Sequence, residues 1–269
     1  MRTSLSLLQN EMTKTRAFVF KNWIMTRRNV FTWLEILFWP VVGFLSVGLL
    51  AEFAALQPEM KAFILIGVVS MGAVQVCQLD VSYVLLYDIW SKALKHGFMA
   101  PVGLRHLLVG SLVVGFIRGI IVFLILVGAS LWIFHFNFLL PGFGPVCLFL
   151  FGLFLSAAMV GILVCVLVLL FGQHAEIAAW SLVSLMLLLC GIYYPISILP
   201  YPIATLAQFI PVTYFLEYFR HFYGFKPTFP HVLLKGYVMV FVYLCLETLL
   251  MKAALRRAKR SGILLKLSE

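Results

Sequence analysis

The chain has 269 residues, of which 63% are hydrophobic and only 11% charged, with a mean hydropathy of +1.06. A soluble domain is about 45–50% apolar and about 25% charged, so no water-soluble core of this length could hide that much apolar surface, and the bilayer is the natural solvent. The net charge of +10 raises nucleic acid as a partner, but its placement excludes that reading. Basic residues crowd the two ends, with Arg16, Lys21, Arg27 and Arg28 before the first apolar run and Lys252, Arg256, Arg257 and Arg260 after the last, as the positive-inside rule describes.

The N-terminus opens with polar residues and no short apolar core, so no cleavable signal peptide is expected. Residues 11–30 mix Phe18, Phe20, Trp23 and Ile24 with Lys and Arg. They read either as an interfacial helix or as a basic flank that only sets topology, because the apolar residues form no clean stripe. Six spans follow, at about 31–53, 62–87, 104–134, 145–171, 177–194 and 231–251. Each is long enough for a helix, which satisfies its own backbone hydrogen bonds in lipid. The basic ends place both termini in the cytoplasm. Loop charges agree: AALQPEM has no Lys or Arg, the next loop carries Lys92, Lys95 and Arg105, and HFNFLLPGFG has none. GQHAE is uninformative, and the long loop 195–230 is neutral. The chain reads as one domain, with 1–30 cytoplasmic or interfacial, 31–252 carrying the spans and 253–269 a basic cytoplasmic tail.

Between the second and third spans runs DIWSKALKHGFMAPVGLRH. As a helix over 88–100 it puts Trp90, Ala93, Leu94, Gly97 and Phe98 on one apolar stripe, with Lys92, Lys95 and His96 opposite. Asp88 supports Lys92 four residues on, and Pro101 stops the helix. Such a helix is too polar to span. It either lies on headgroups or docks a partner.

Charges inside spans cost about 2.5–3.5 kcal/mol each at a helix centre, so each needs a reason. Glu35, Asp80 and Glu247 fall toward the cytoplasmic ends of their spans, and Arg118 lies about a dozen residues into the third. They form either a translocation or proton path, or helix-end carboxylates plus an Arg that pairs internally, with Asp80 as a partner. The second reading is preferred, because ion-coupled carriers cluster ionisable groups at mid-membrane. Gly115 and Gly119 flank Arg118, and Gly152/Ser156 and Ala157/Gly161 repeat a small-xxx-small spacing suited to close helix packing.

The stretch GIYYPISILPYPIATLAQFIPVTYFLEYFRHFYGF carries Pro195, Pro200, Pro202 and Pro211 in an aromatic run. No straight helix survives that density of proline, and irregular backbone at membrane depth needs protein or a wet cavity to satisfy it. Two short re-entrant or interfacial helices are expected, about 203–210 and 213–223. Tyr193, Tyr194, Tyr201, Tyr214, Tyr218 and Tyr223 would sit near the outer headgroups. The five Cys lie in apolar runs with no metal-ligand spacing, the six His are scattered, and no metal site is expected. There is no Gly-x-x-x-x-Gly-Lys-Ser/Thr loop and no Gly-x-Ser-x-Gly elbow. A membrane enzyme is therefore disfavoured.

In order, LEILFWPVVGFL, KALKHGFMAPVGLRHLLVG, FIRGI, GIYYPISILP, IPVTYFLEYFRHFYG and the basic tail LRRAKRSGILLKLSE resemble the type-2 permease family of ATP-binding cassette (ABC) transporters over essentially the whole chain. The resemblance implies an all-α subunit with six transmembrane helices, an N-terminal interfacial helix, a cytoplasmic coupling helix and outer re-entrant helices before the last span. It implies a homodimer with a second permease copy, set in membrane lipid and bound to two copies of a separately encoded ABC ATPase. No cofactor is expected in this chain, since ATP and magnesium belong to the partner subunit. By motif match, Trp90, Lys92, Leu94, Lys95, Phe98 and Pro101 take the coupling role. The outer exit region takes Tyr193, Tyr194, Pro195 and Pro200, then Pro211, Tyr214, Glu217 and Arg220. Permeases for polysaccharide tend to begin with an Arg-rich stretch and a tyrosine, which this N-terminus matches poorly. The implied activity is export of a drug-like or lipid-like amphiphile from a prokaryotic inner or plasma membrane, with glycan export and an ATP-independent carrier as the competing readings.

Overall fold

The computed structural model describes residues 2–90 and 103–260. Among these residues the chain is all helical, with no strand. Helix α1 covers Arg2–Arg28, α2 Val30–Phe53, α3 Pro58–Trp90, α4 Leu104–Phe134 and α5 Phe143–Phe171. Helix α6 covers Glu176–Leu189, α7 Tyr201–Ala207, α8 Pro211–His221 and α9 Val232–Arg260. Five of them (α2, α3, α4, α5 and α9) are long and apolar enough to cross a membrane.

The fifth expected span differs. Helix α6 has 14 residues, about 21 Å at 1.5 Å per residue, short of the roughly 30 Å hydrocarbon core. It ends because Gly191 adopts φ +69, a left-handed conformation that glycine takes without steric cost, and Pro195 follows. The apolar run up to Tyr194 is therefore partly folded loop.

Helix α3 is the central post. It packs on α2, α4, α5, α6 and α8, while α9 covers α5 and α8. The core between them is aliphatic and aromatic, from Ile66, Val69 and Val74 of α3 to Phe123 and Leu126 of α4 and Phe149 and Leu153 of α5. The small residues read from the sequence lie at these crossings: a Cβ on Gly115 would stand 3.1 Å from the Cys77 carbonyl oxygen of α3, and one on Gly161 2.6 Å from Val81. Pro40 leaves one backbone bond of α2 unmade, and its ring packs over Gly72, where a Cβ would come within 3.1 Å of it.

Asn29 alone separates α1 from α2. Its extended backbone and its side chain, which accepts from Phe31 N–H at 3.0 Å, start the second helix. Glu11 meets Arg105 and His106, Phe18 abuts Gly110 and Thr26 meets Arg118. That order makes α1 run in the same direction as the first half of α4. The face turned inward is Glu11, Thr15, Phe18, Asn22 and Thr26, at a three-to-four residue spacing. Four of the five are polar, which is why an apolar stripe is absent from this segment.

Candidate functional site

Three groups of residues single themselves out, and α3 ties them together. Phe63 near one end and Trp90 at the other are about 40 Å apart along its axis.

At the Phe63 end lies the proline-rich segment. The turn after α6 exposes the carbonyls of Gly191 and Ile192, and Arg220 of α8 takes both. Its Nη1 donates to Gly191 O at 2.6 Å, and its Nη2 donates to Ile192 O and Phe63 O at 2.9 Å each. The guanidinium lies 3.4 Å from the Phe63 ring centroid and is 3% exposed. Only glycine fits at position 67 of α3, since a Cβ there would stand 2.1 Å from Ile192 O. The next break, between α7 and α8, is closed the same way. Thr213 donates to Ala207 O at 3.1 Å, Tyr214 to Gln208 O at 2.9 Å and Tyr243 of α9 to Phe209 O at 3.0 Å. Interrupted backbone in lipid must have such partners.

The remaining exit residues take smaller parts. Pro195 and Pro200 carry the carbonyls that begin the 3-10 turn Ile196–Ile198 and α7. Pro211 opens α8, where no N–H is required. Glu217 accepts from Thr228 N–H at 3.0 Å, Tyr194 donates to Leu188 O at 2.7 Å, and Tyr193 packs on the core. The two short helices start two residues earlier than the sequence suggests, because Pro202 and Pro211 fit the first turn of a helix and need not precede it.

At the other end, the described part of α3 reaches Trp90, which is 45% exposed and meets Tyr83 and Tyr87 edge-on, with centroids 5.6 Å away. The other expected coupling residues, Lys92, Leu94, Lys95, Phe98 and Pro101, lie outside the described residues. Asp88, expected to support Lys92, forms an ion pair with Lys21 of α1 at 2.8 Å.

About two turns along α3 from Asp88 is the charged cluster. Arg118 donates to Asp80 and to the Thr26 hydroxyl, which in turn donates to Asn22 O at 2.8 Å. Ser111 donates to the Asp80 backbone carbonyl at 2.5 Å. Arg118 is 8% exposed, and its Nε has no partner, nor has Asp80 Oδ2. Glu35 of α2 faces the same space, a cavity of about 710 Å3 bounded by α1, α2, α3 and α4. Glu247 stands apart on α9, buried near Cys165 of α5, with Oε2 lacking a hydrogen-bond partner. Three of the four intramembrane charges thus converge and one does not. Thr26 and Lys21 join them from a helix whose polar, three-to-four spaced face is the sequence signal for that role.

Nothing here is arranged as a nucleophile with a base, and among the described residues no group of His, Cys, Asp or Glu could hold a metal ion. The chemistry is that of helices held around a polar cavity. Over residues 13–223, most of the chain, the sequence matches the family model described as ABC-2 type transporter. An uncharacterized protein of Archaeoglobus fulgidus is 44% identical over 62 residues, which is 23% of this chain and 97% of that one. Long apolar helices around a charged cavity agree with the family match: the chain is an integral membrane permease belonging to the ABC-2 type transporter family.

Proposed function

We propose that this chain is the membrane subunit of an ATP-driven exporter, a single domain over 1–269 that works as a homodimer with two copies of a separately encoded ABC ATPase. Both termini and the segment after Trp90 face the cytoplasm of a prokaryotic cell, and the proline-rich segment faces outward. Helix α6 together with the clamped turn that follows it makes the sixth crossing. The cargo is a drug-like or lipid-like amphiphile, because the cavity combines charged groups with Met25, Phe31, Val84 and Trp90.

The observation that carries this reading is α3 itself. It joins the segment where a partner would push, through the Asp80 level, to the Gly67–Ile192 contact beneath the clamped turn. A continuous helix in a close-packed bundle transmits displacement along its axis. Coupling to ATP would then enter at 91–101, tilt α3 and loosen the outer turn. The pairing of Arg118 with Asp80 supports internally compensated charges over the ion-coupled alternative.

The test is co-purification with the cognate ATPase followed by ATP hydrolysis in lipid. Replacing Leu94 and Phe98 together by Asp is expected to abolish association while leaving the spans inserted. A double variant that still assembles and stimulates hydrolysis normally would refute the coupling assignment.

A further inference from the structure

Among the described residues, the cavity bounded by α1, α2, α3 and α4 is lined by one more carboxylate than cations. Arg118 offsets Asp80 and Lys21 offsets Asp88, whereas Glu35 takes part in no ion pair among the described residues. Both cations on the wall are therefore already engaged, and a carboxylate is left over. The second Asp80 oxygen, Oδ2, is buried without a hydrogen-bond partner beside Arg118, whose side chain is more than nine-tenths buried.

The aromatic lining points the same way. Phe31, Tyr87 and Trp90 border the cavity and are 79%, 41% and 45% exposed. Ring faces attract a cation within about 6 Å, most strongly where water is partly excluded. A narrow slot of about 40 Å3 shares Glu35, Asp80 and Arg118 with the cavity and leads away from it past Ile36, Trp39, Val76 and Leu79. Counted over the described residues, a net negative, aromatic chamber thus adjoins a small crevice along α2 and α3 whose far wall is mostly apolar. Its complement is a positively charged head attached to an apolar body.

We propose that this cavity is a binding site for amphiphilic cations, with Glu35 as the counter-ion, Tyr87 and Trp90 as ring faces, and the Ile36–Trp39 crevice receiving the start of the apolar portion. The inference rests on the exporter reading above and narrows its cargo class. An anionic head would meet the free Glu35 carboxylate and find Lys21 and Arg118 already paired, so the site discriminates by charge.

Tetraphenylphosphonium and tetraphenylborate are hydrophobic ions of similar size and opposite charge, and they make the test direct. Equilibrium dialysis of the purified full-length chain in dodecyl maltoside should show saturable binding of the cation and none of the anion. Glu35→Gln should weaken cation binding about tenfold, the loss expected when the charged partner of a cation becomes neutral. Glu35→Asp should retain binding, and Glu35→Lys should reverse the preference. Glu35 is exposed in the isolated chain, so each variant should elute in size exclusion like the parent. Cation binding by Glu35→Gln within twofold of the parent, or equal binding of the two ions by the parent, overturns the proposal. The ATPase is absent from this assay. Glu35-dependent binding without ATP-driven movement in proteoliposomes would therefore remove the exporter reading and leave the site. ATP-driven export of tetraphenylphosphonium indifferent to Glu35 would do the reverse.

Discussion

Two arginines among the described residues are buried, and they differ in what surrounds them. Arg220 spends its donors on backbone carbonyls that a broken helix would otherwise leave bare. Arg118 instead faces a carboxylate and a hydroxyl from two other helices, so its removal strands a charge. Breaking a buried ion pair from one side costs about 3–5 kcal/mol, because the remaining charge stays uncompensated. Arg118→Leu is therefore expected to lower the melting temperature and the monodisperse fraction in size exclusion, and adding Asp80→Asn should restore part of the loss. A variant with parental stability and a changed substrate profile would show that Arg118 acts on cargo instead. Sequence reading singled out Glu35, Asp80, Arg118 and Glu247 and anticipated Asp80 as an internal partner for Arg118, and the two are paired. It did not find Thr26, 92 positions away in the chain, because the three-to-four spaced face that carries it is mostly polar and does not read as an apolar stripe.

At the scale of elements, α1 shows how polar contacts can dock a helix that hydrophobicity would leave loose. Glu11 accepts from Lys14 at 3.0 Å and from His106 Nε2 at 2.9 Å, and it also pairs with Arg105. The His106 ring is turned for this by the Gly103 N–H, which donates to Nδ1 at 2.9 Å. Lys14 chiefly, then His106, hold the Glu11 carboxyl below its ordinary value of 4.5. A depressed carboxyl contributes its docking in full above the ordinary value and loses it as pH falls through the lowered one. Amides of α1 are thus expected to stay protected from exchange at neutral pH and to lose protection below about pH 4.5, once intrinsic exchange rates are divided out. Glu11→Gln should be less protected at neutral pH and should lose that pH step. Equal protection of parent and variant would mean that Phe18 and its apolar neighbours hold the helix alone. The contrast with the segment before α8 is instructive, since its prolines made the break visible in sequence, whereas the carbonyls that Tyr214 and Arg220 close were not.

For the whole molecule, orientation is the property that most constrains how it works. The proposed orientation, with both ends on one side, requires α6 with its clamped turn to count as one crossing despite its 14 helical residues. Protease tags at the two ends are expected to be cut together in inverted membrane vesicles and to be protected together in intact cells. Tags cut on opposite sides would reduce α6 to a hairpin that returns to the side it left. Five of the six expected spans were legible to within a few residues, because lipid demands about 20 apolar residues wherever a helix crosses. The sixth was legible as an apolar run but not as a shortened helix, since hydropathy is blind to where backbone turns. By itself the sequence determined the membrane class, the helical architecture, the broken segment near Pro195–Pro211 and the family, all of which depend on composition and local order. The tertiary structure alone decided that Glu35, Asp80 and Arg118 share one cavity with a helix from the N-terminus, that Glu247 stands apart, and that Arg220 clamps Gly191 and Ile192. Those facts depend on which helix faces meet, and in an apolar solvent nearly every face is apolar, so the pattern that marks an inward face in a soluble protein is missing.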